Sequence, residues 1–485
     1  MGNRTETGVV IVGTGFSGLG MAIQLRKEGR EDFVILEKAH DVGGTWRDNS
    51  YPGCACDIPS HMYSFSFEQN PGWSRAYSPQ PEIWRYLREA ADKHDLRRFV
   101  RFGQEMTGAR WDAEENRWHV ATRGGDEFAG TALVAGVGAL HLPMIPELPG
   151  IEKFEGPAYH SARWRHDVDL AGKKVAVIGT GASAVQFVPK IAPEVAELTL
   201  FQRTPPWIMP KADHEMSGRT RALFKAFPPA QRAYRTLLYW LLEARAIGFN
   251  GQSWVMKLGQ RIAKRHVDRA IEDPRLRRKV TPDYTMGCKR VLISNDYYPA
   301  LARDNVDVVT EGVREVRERS VVDAAGVEHA ADVLIYGTGF HVTDAFDDLE
   351  IVGRDGRNLG KEWATEGMRT HLGITVAGFP NLFFLLGPNT GLGHNSVVFM
   401  IEAQVSYVAE ALRLARGRAI EPKPEVQERF NAQIQRKLAK GIWTRGGCKS
   451  WYLDAKGVNR TIWPGFTWRY WLDTRKVRRE DFLVG

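Results

Sequence analysis

Cysteine is scarce in this chain. Four residues among 485 are too few for a disulfide framework to carry the fold. Cys54 and Cys56 form a C-x-C without a second ligand pair nearby, so no metal site is expected there. Long apolar runs are missing too. No stretch approaches the ~20 residues that a membrane-crossing helix needs. The first residues run straight into an apolar strand without a secretory-leader pattern, which makes the cytoplasm the expected compartment. Recognisable nucleic-acid motifs are absent as well. The net charge of +8 therefore points to a site for a phosphorylated cofactor together with a basic surface region. What is present, 43% hydrophobic residues, is ordinary for a globular protein, and the length suggests roughly two or three domains.

Glycine marks the two most informative places. Val9–Val12 is an apolar run, followed by Gly13-Thr14-Gly15-Phe16-Ser17-Gly18, a helical pattern through Lys27, and a strand at Phe33–Leu36 that ends at Glu37. Glycines at these offsets permit a tight turn, admit a pyrophosphate against the backbone, and seat the helix on the strand. The free N–H groups of the helix N-terminus then face the phosphates. The pattern repeats at Lys174–Ile178, with Gly179-Thr180-Gly181-Ala182-Ser183-Ala184 and a strand at Leu198–Phe201. Glu37 follows Gly13 by 24 positions, and Arg203 follows Gly179 by 24. A carboxylate at that offset binds ribose hydroxyls, whereas an arginine can hold a 2′-phosphate. The first turn thus suits FAD and the second NADP.

Between the two turns lies Phe154–Arg165, FEGPAYHSARWR. With Phe154, Gly156, His160 and Trp164 it reads F-x-G-x-x-x-H-x-x-x-W, and flanked by two dinucleotide turns it resembles the fingerprint of the Baeyer–Villiger monooxygenases. The next position, Pro or Asp in that family, is Arg165 here. Trp451-Tyr452, Asn459 and Trp463-Pro464 resemble the tail of the hydroxyacetophenone-oxidising branch.

The resemblance implies an α/β fold with two Rossmann-like dinucleotide-binding domains, for FAD and NADP, and a helical insertion. The implied division is 1–145 and 331–485 for the FAD domain, 146–210 and 284–330 for the NADP domain, and 211–283 for the insertion. It also implies the reaction: an NADPH- and O2-dependent flavoenzyme that turns a ketone into an ester or lactone through a C4a-peroxyflavin. Gly13, Gly15, Ser17, Gly18, Glu37, Thr45, Trp46 and Tyr63 would surround FAD. Gly179, Gly181, Ala182, Ser183, Arg203, Thr204 and Lys289 would hold NADPH. Arg290 would stabilise the peroxide and the oxyanion of its adduct, Asp57 would orient that arginine, and His160 and Trp164 would serve a hinge near the proline-rich 141–150 linker.

Two rivals share part of this pattern. An N- or S-oxygenating flavin monooxygenase has both turns but commonly places Phe or Tyr where Trp164 stands. A two-nucleotide disulfide reductase needs a redox cysteine pair, and only Cys54 and Cys56 are close. The basic segment from Lys211 to about Asp283 reads as helices covering the cavity of a hydrophobic ketone, ahead of a surface seeking a membrane. Oligomeric state leaves no trace in the sequence.

Overall fold

The computed structural model describes residues 3–251, 253–347, 349–448 and 450–485. Val9, Val10 and Ile11 are wholly buried within β1 (Arg4–Val12). A strand apolar at successive positions must be covered on both faces, and this one lies inside a sheet. Helix α1 (Phe16–Lys27) returns the chain to β2 (Phe33–Glu37), which is parallel to β1 with Val9 opposite Phe33. Short α2 (Thr45–Asp48) and amphipathic α3 (Gln80–Lys93) lead to β3 (Val100–Phe102) beside β2. Then β4 (Met106–Asp112), β5 (Arg117–Thr122) and β6 (Glu127–Ala135) form a meander, and β6 pairs in parallel with β1. Residues 111–122, whose aromatic and β-branched content reads as one strand, are thus a hairpin. Asn116 takes φ 54°, a left-handed conformation that asparagine tolerates, and it brings Trp118 opposite Trp111.

The chain then builds a second sheet from β7 (Ala158–His160), β8 (Lys174–Ile178), α4 (Ala182–Ile191) and β9 (Glu197–Phe201). It leaves through β10 (Ile208–Met209) for five helices: α5 (Gly218–Ala226), α6 (Pro228–Glu243), α7 (Ala246–Phe249), α8 (Ser253–Ala270) and α9 (Pro274–Val280). The return strand β11 (Leu292–Ile293) pairs with β10 and forms the neck of this excursion. After α10 (Tyr297–Leu301), β12 (Val306–Val309) joins the edge of the second sheet. A small antiparallel sheet follows, of β13 (Val313–Arg317), β14 (Ser320–Asp323) and β15 (Glu328–Ala330). With β16 (Val333–Tyr336) the second sheet is complete, all parallel, in the order β12-β9-β8-β16-β7.

The chain next returns to the first sheet. There β17 (Glu350–Val352) pairs with β4 and, after α11 (Leu359–Glu366), β18 (Leu382–Phe384) pairs with β6. Helix α12 (Val397–Ala415) packs on α1. The outgoing and returning crossings lie side by side: Met144 N–H donates to Gly339 O at 2.9 Å, and His341 N–H to Leu142 O at 2.9 Å.

The scarce cysteines nonetheless supply one disulfide, which is not a framework. Cys288 and Cys448 form a disulfide with Cα atoms 6.1 Å apart, although 160 positions separate them in sequence. Only the tertiary fold brings them together. Cys54 and Cys56 are free and buried. No described helix is long and apolar enough to cross a membrane.

Candidate functional site

The two glycine turns have the same construction. Gly13 (φ 97°) and Gly179 (φ 102°) occupy conformations that strain other residues, and a Cβ at either would press on a carbonyl, that of Gly136 at 2.7 Å or Gly337 at 2.5 Å. The middle glycines differ. A Cβ on Gly15 would meet only Gly44 Cα at 3.9 Å, and one on Gly181 only Gly337 O at 3.5 Å. Packing within the protein does not require glycine there; close approach of a ligand to the backbone does. Helices α1 and α4 start at these glycines with neither a side-chain cap nor an acid in the first turn. Their N-terminal N–H groups thus fit a pyrophosphate in both places. Ser17 is buried in the first turn of α1, and Ala182 and Ser183 begin α4.

The strand-end residues are as different as their charges suggest. Glu37 is buried, accepting from the N–H groups of Thr14 (3.1 Å) and Ala39 (2.9 Å) and from the Thr14 hydroxyl, and pairing with Arg47 at 3.1 Å. It is a fixed carboxylate at the rim of the first turn. Arg203 is exposed and has neither an acidic partner nor a hydrogen bond among the described residues. Burial lowers the Lys289 pKa, and so does the charge of nearby Arg203. Two close cations that repel one another suit a shared anion such as a phosphate. Thr204 lies alongside, its carbonyl accepting from the Thr180 hydroxyl at 3.4 Å.

Near the first turn, Gly43 (φ 126°) and Gly44 (φ 51°) bend the chain into α2, where Thr45 is the first residue. The Trp46 indole N–H donates to the Tyr63 hydroxyl at 3.2 Å, and Tyr63 packs edge-on against Phe16 of α1. Asp57 lies beyond in the same loop system and joins Arg290, 233 positions away, through Nε and Nη2 at 3.1 and 2.5 Å. Their side chains are 21% and 38% exposed. Asp57, ahead of the opposing effect of burial, holds the Arg290 pKa above its usual value, so this guanidinium stays charged.

Cys54 and Cys56 do not form a redox pair. Burial pushes the Cys54 thiol up to about 12 and raises Cys56 further, leaving both protonated at neutral pH.

The fingerprint residues sit at the crossing between the sheets. A Cβ on Gly156 would collide with the Asp332 carbonyl, where the chain enters β16. Phe154 packs against the β13–β14 core. His160 is buried opposite Tyr336 in the β7–β16 register, its ring 5.5 Å from that of Phe340 in the returning crossing. Burial lowers its pKa to about 4, so it is neutral near pH 7. Trp164 packs between Tyr159 (5.4 Å) and Phe187 of α4 (5.3 Å). Arg165 forms an exposed ion pair with Asp167.

Two features and the placement of a third, Tyr452, escaped the sequence reading. Gln186 of α4 bonds in both directions with Ala55, donating to its carbonyl at 2.9 Å and accepting its N–H at 3.3 Å, and it accepts from the Tyr51 hydroxyl at 3.0 Å. It clamps the Asp57 loop to the second sheet, and a glutamine inside a helix carries no signal of that. Tyr452 is buried beside Arg290 and Asp57. The disulfide ties the residue preceding Lys289 to the loop before Tyr452.

Comparison with known proteins agrees with this architecture. Residues 6–355 match the family model described as flavin-binding monooxygenase-like. A protein of Pseudomonas aeruginosa named Baeyer-Villiger monooxygenase is 53% identical over 472 residues, covering 96% of this chain and 89% of its own length. One of the same name from Streptomyces coelicolor is 49% identical over 480 residues, covering 98% and 92%. Among solved structures, cyclohexanone monooxygenase from Rhodococcus sp. Phi1 bound to NADP+ superposes with a TM-score of 0.89 at 31% identity, covering 99% of each chain.

Proposed function

We propose a role for each site residue on the premise that this chain belongs to the Baeyer–Villiger monooxygenases of the flavin-binding monooxygenase-like family. The enzyme consumes a ketone, O2, NADPH and a proton, and it releases an ester or lactone, NADP+ and water. Bound FAD, reduced by NADPH, supplies the oxygen activation. The protein's part is to bind, orient and neutralise charge.

The observation that carries the assignment is the Asp57–Arg290 pair. Oxygen transfer to a carbonyl builds negative charge on oxygen atoms at the reacting centre. A guanidinium that never deprotonates, held in one direction by a carboxylate, meets that charge without reorganising. Arg290 is therefore the catalytic cation and Asp57 its positioning partner. Gly13, Gly15, Ser17, Gly18 and Glu37 hold the pyrophosphate and ribose of FAD, with Thr45, Trp46 and Tyr63 beside the ring. Gly179, Gly181, Ala182, Ser183, Arg203, Thr204 and Lys289 hold NADPH, the two cations and Thr204 taking its 2′-phosphate. His160 and Trp164 support the crossing as a hinge; the neutral state of His160 suits a packing role better than a proton-transfer role.

The domain limits stated from the sequence stand as part of this reading, supported by the β10–β11 neck and the paired crossings. The substrate is a hydrophobic ketone, and the name of the solved neighbour makes cyclohexanone the first to try. Dependence on NADPH favours the cytoplasm, where that reductant is regenerated. The deciding experiment supplies NADPH and O2 with cyclic, aryl and long-chain ketones, and separately with tertiary amines and thioethers. Ester or lactone formation is expected. Oxidation of amines or thioethers with no ester from any ketone would refute the reading.

A further inference from the structure

A surface helix ordinarily buries its apolar side, yet α6 largely does the reverse. Gln231, Arg235 and Glu243 are buried with one apolar residue, Leu242, while Leu237, Trp240 and Leu241, at i, i+3 and i+4, are each more than half exposed. Helix α8 has two apolar stripes. Met256, Ala263 and Val267 face the core. On the opposite side, Trp254, Leu258 and Ile262 recur at i, i+4 and i+8 in solvent. Trp254, at 63%, is the most exposed large apolar side chain among the described residues. Isolated surface leucines mean little, but two long helices of one insertion presenting ordered apolar stripes do.

The charge around these stripes is equally ordered. Residues 211–283 contain 16 Lys and Arg against 7 Asp and Glu, in a chain with 66 against 58. The rest of the chain thus has 50 against 51, so its whole positive excess resides in the helical insertion. Lys257, Arg261 and Arg265 recur at the interval of the exposed α8 stripe, and the ion pair on this helix, among the described residues, runs from Asp268 to Arg277. A second copy of the chain docking face to face would bring two such positive surfaces together. An anionic surface with an apolar layer beneath complements both features: leucine and tryptophan enter the boundary layer while lysine and arginine meet the headgroups.

We infer that the exposed faces of α6 and α8 dock this enzyme on bilayers containing anionic phospholipid. The attachment is peripheral, since no described helix can span. It is independent of the roles assigned to Arg290 and Asp57.

Flotation of the FAD-loaded enzyme with phosphatidylcholine vesicles, with and without equimolar phosphatidylglycerol, tests the inference. The wild type should float with the anionic vesicles and stay behind with the neutral ones. Lys257→Gln/Arg261→Gln/Arg265→Gln should lower partitioning on the order of 10²-fold. Trp254→Ser/Leu258→Ser/Ile262→Ser should reduce flotation to background. Both variants alter exposed positions, so circular dichroism and turnover of a water-soluble ketone should match wild type. No flotation of the wild type, equal flotation with neutral vesicles, or undiminished flotation of both variants would overturn the inference. So would a dimer, seen by sedimentation velocity, that the serine variant dissolves while vesicles capture nothing; that face would then belong to a second copy.

Discussion

Arg290→Ala separates chemistry from folding because the two effects differ in size. The Asp57–Arg290 pair is part-exposed, 21% and 38% for its side chains, so water replaces much of what the carboxylate loses. Its contribution to stability is accordingly about 1 kcal/mol or less, a melting shift of about 1 °C or less in a chain of 485 residues. A charge contact made as negative charge develops is worth roughly 3–4 kcal/mol, about 10²–10³-fold in rate. FAD binding should persist, because the pyrophosphate and ribose contacts are assigned to the first turn. Flavin absorbance gives occupancy, and NADPH oxidation, hydrogen peroxide release and ester yield are measured together. The expected outcome is retained FAD, ester formation reduced by at least about 10²-fold, and a larger share of NADPH oxidation ending as hydrogen peroxide. Arg290→Lys should recover only part of the activity, since a lysine retains the charge without the planar fork that grips Asp57 through two nitrogens. Wild-type ester yield from Arg290→Ala would refute the reasoning and remove the main argument for the catalytic cation.

Removal of Arg203, exposed and without an acidic partner, should cost about 1.5–3 kcal/mol of NADPH binding if it grips the 2′-phosphate. An NADPH-to-NADH ratio of kcat/KM unchanged in Arg203→Ala would contradict the assignment. The Cys288–Cys448 link closes a 160-position separation, for which chain entropy allows up to ~5 kcal/mol. Cys288→Ser and reductant should lower Tm alike, and a reductant-insensitive Tm in wild type would count against the bond. His61, His160 and His371 are buried, and burial lowers each pKa from 6.5 to about 4. The unfolded chain binds their protons first, so stability is full above about pH 6.5 and falls toward pH 4, by up to about 1.4 kcal/mol per pH unit for each histidine. Urea unfolding across that range checks this; stability that stays flat on acidification would rule it out.

What was legible in the sequence was whatever local rules determine. The strands at Lys174–Ile178 and Leu198–Phe201 and the helix that runs to Lys27 fall where apolar runs and glycine turns place them. The glycine turns were legible because φ near 100° at Gly13 and Gly179 leaves few alternatives. The hairpin at Asn116 was not, since asparagine marks a turn only when the chain on either side pairs. The insertion's helical period was visible, but a period of 3.6 does not say which side is inside. In α6 the polar side is inside because Arg235 donates to the His61 carbonyl and Glu243 accepts from Asn395 and Thr467, partners far away in sequence. The disulfide and the Gln186 clamp were hidden for the same reason.

Lys289 and Arg290 are neighbours in sequence but belong to different electrostatic settings. Lys289 feels Arg203 at the second turn, whereas Arg290 is locked to Asp57 beside the first. One peptide unit therefore joins the region that suits the 2′-phosphate to the region that suits the reacting oxygen. This unit cannot move freely. Cys288, just before it, is bonded to the tail at Cys448, and β11, just after it, is paired with β10. Across from it, the Asp57 loop is tied by Gln186 to α4, the helix that begins at the second turn. Movement of one sheet against the other would thus reach Asp57 through α4 and Arg290 through the neck and the tail. The hinge proposed at the crossings, where His160 packs on Phe340, would change the distance between the two turns with Arg290 still on Asp57. Under the roles proposed for Arg203, Lys289 and Arg290, this coupling would keep the catalytic cation in place while the turn proposed for NADPH moves.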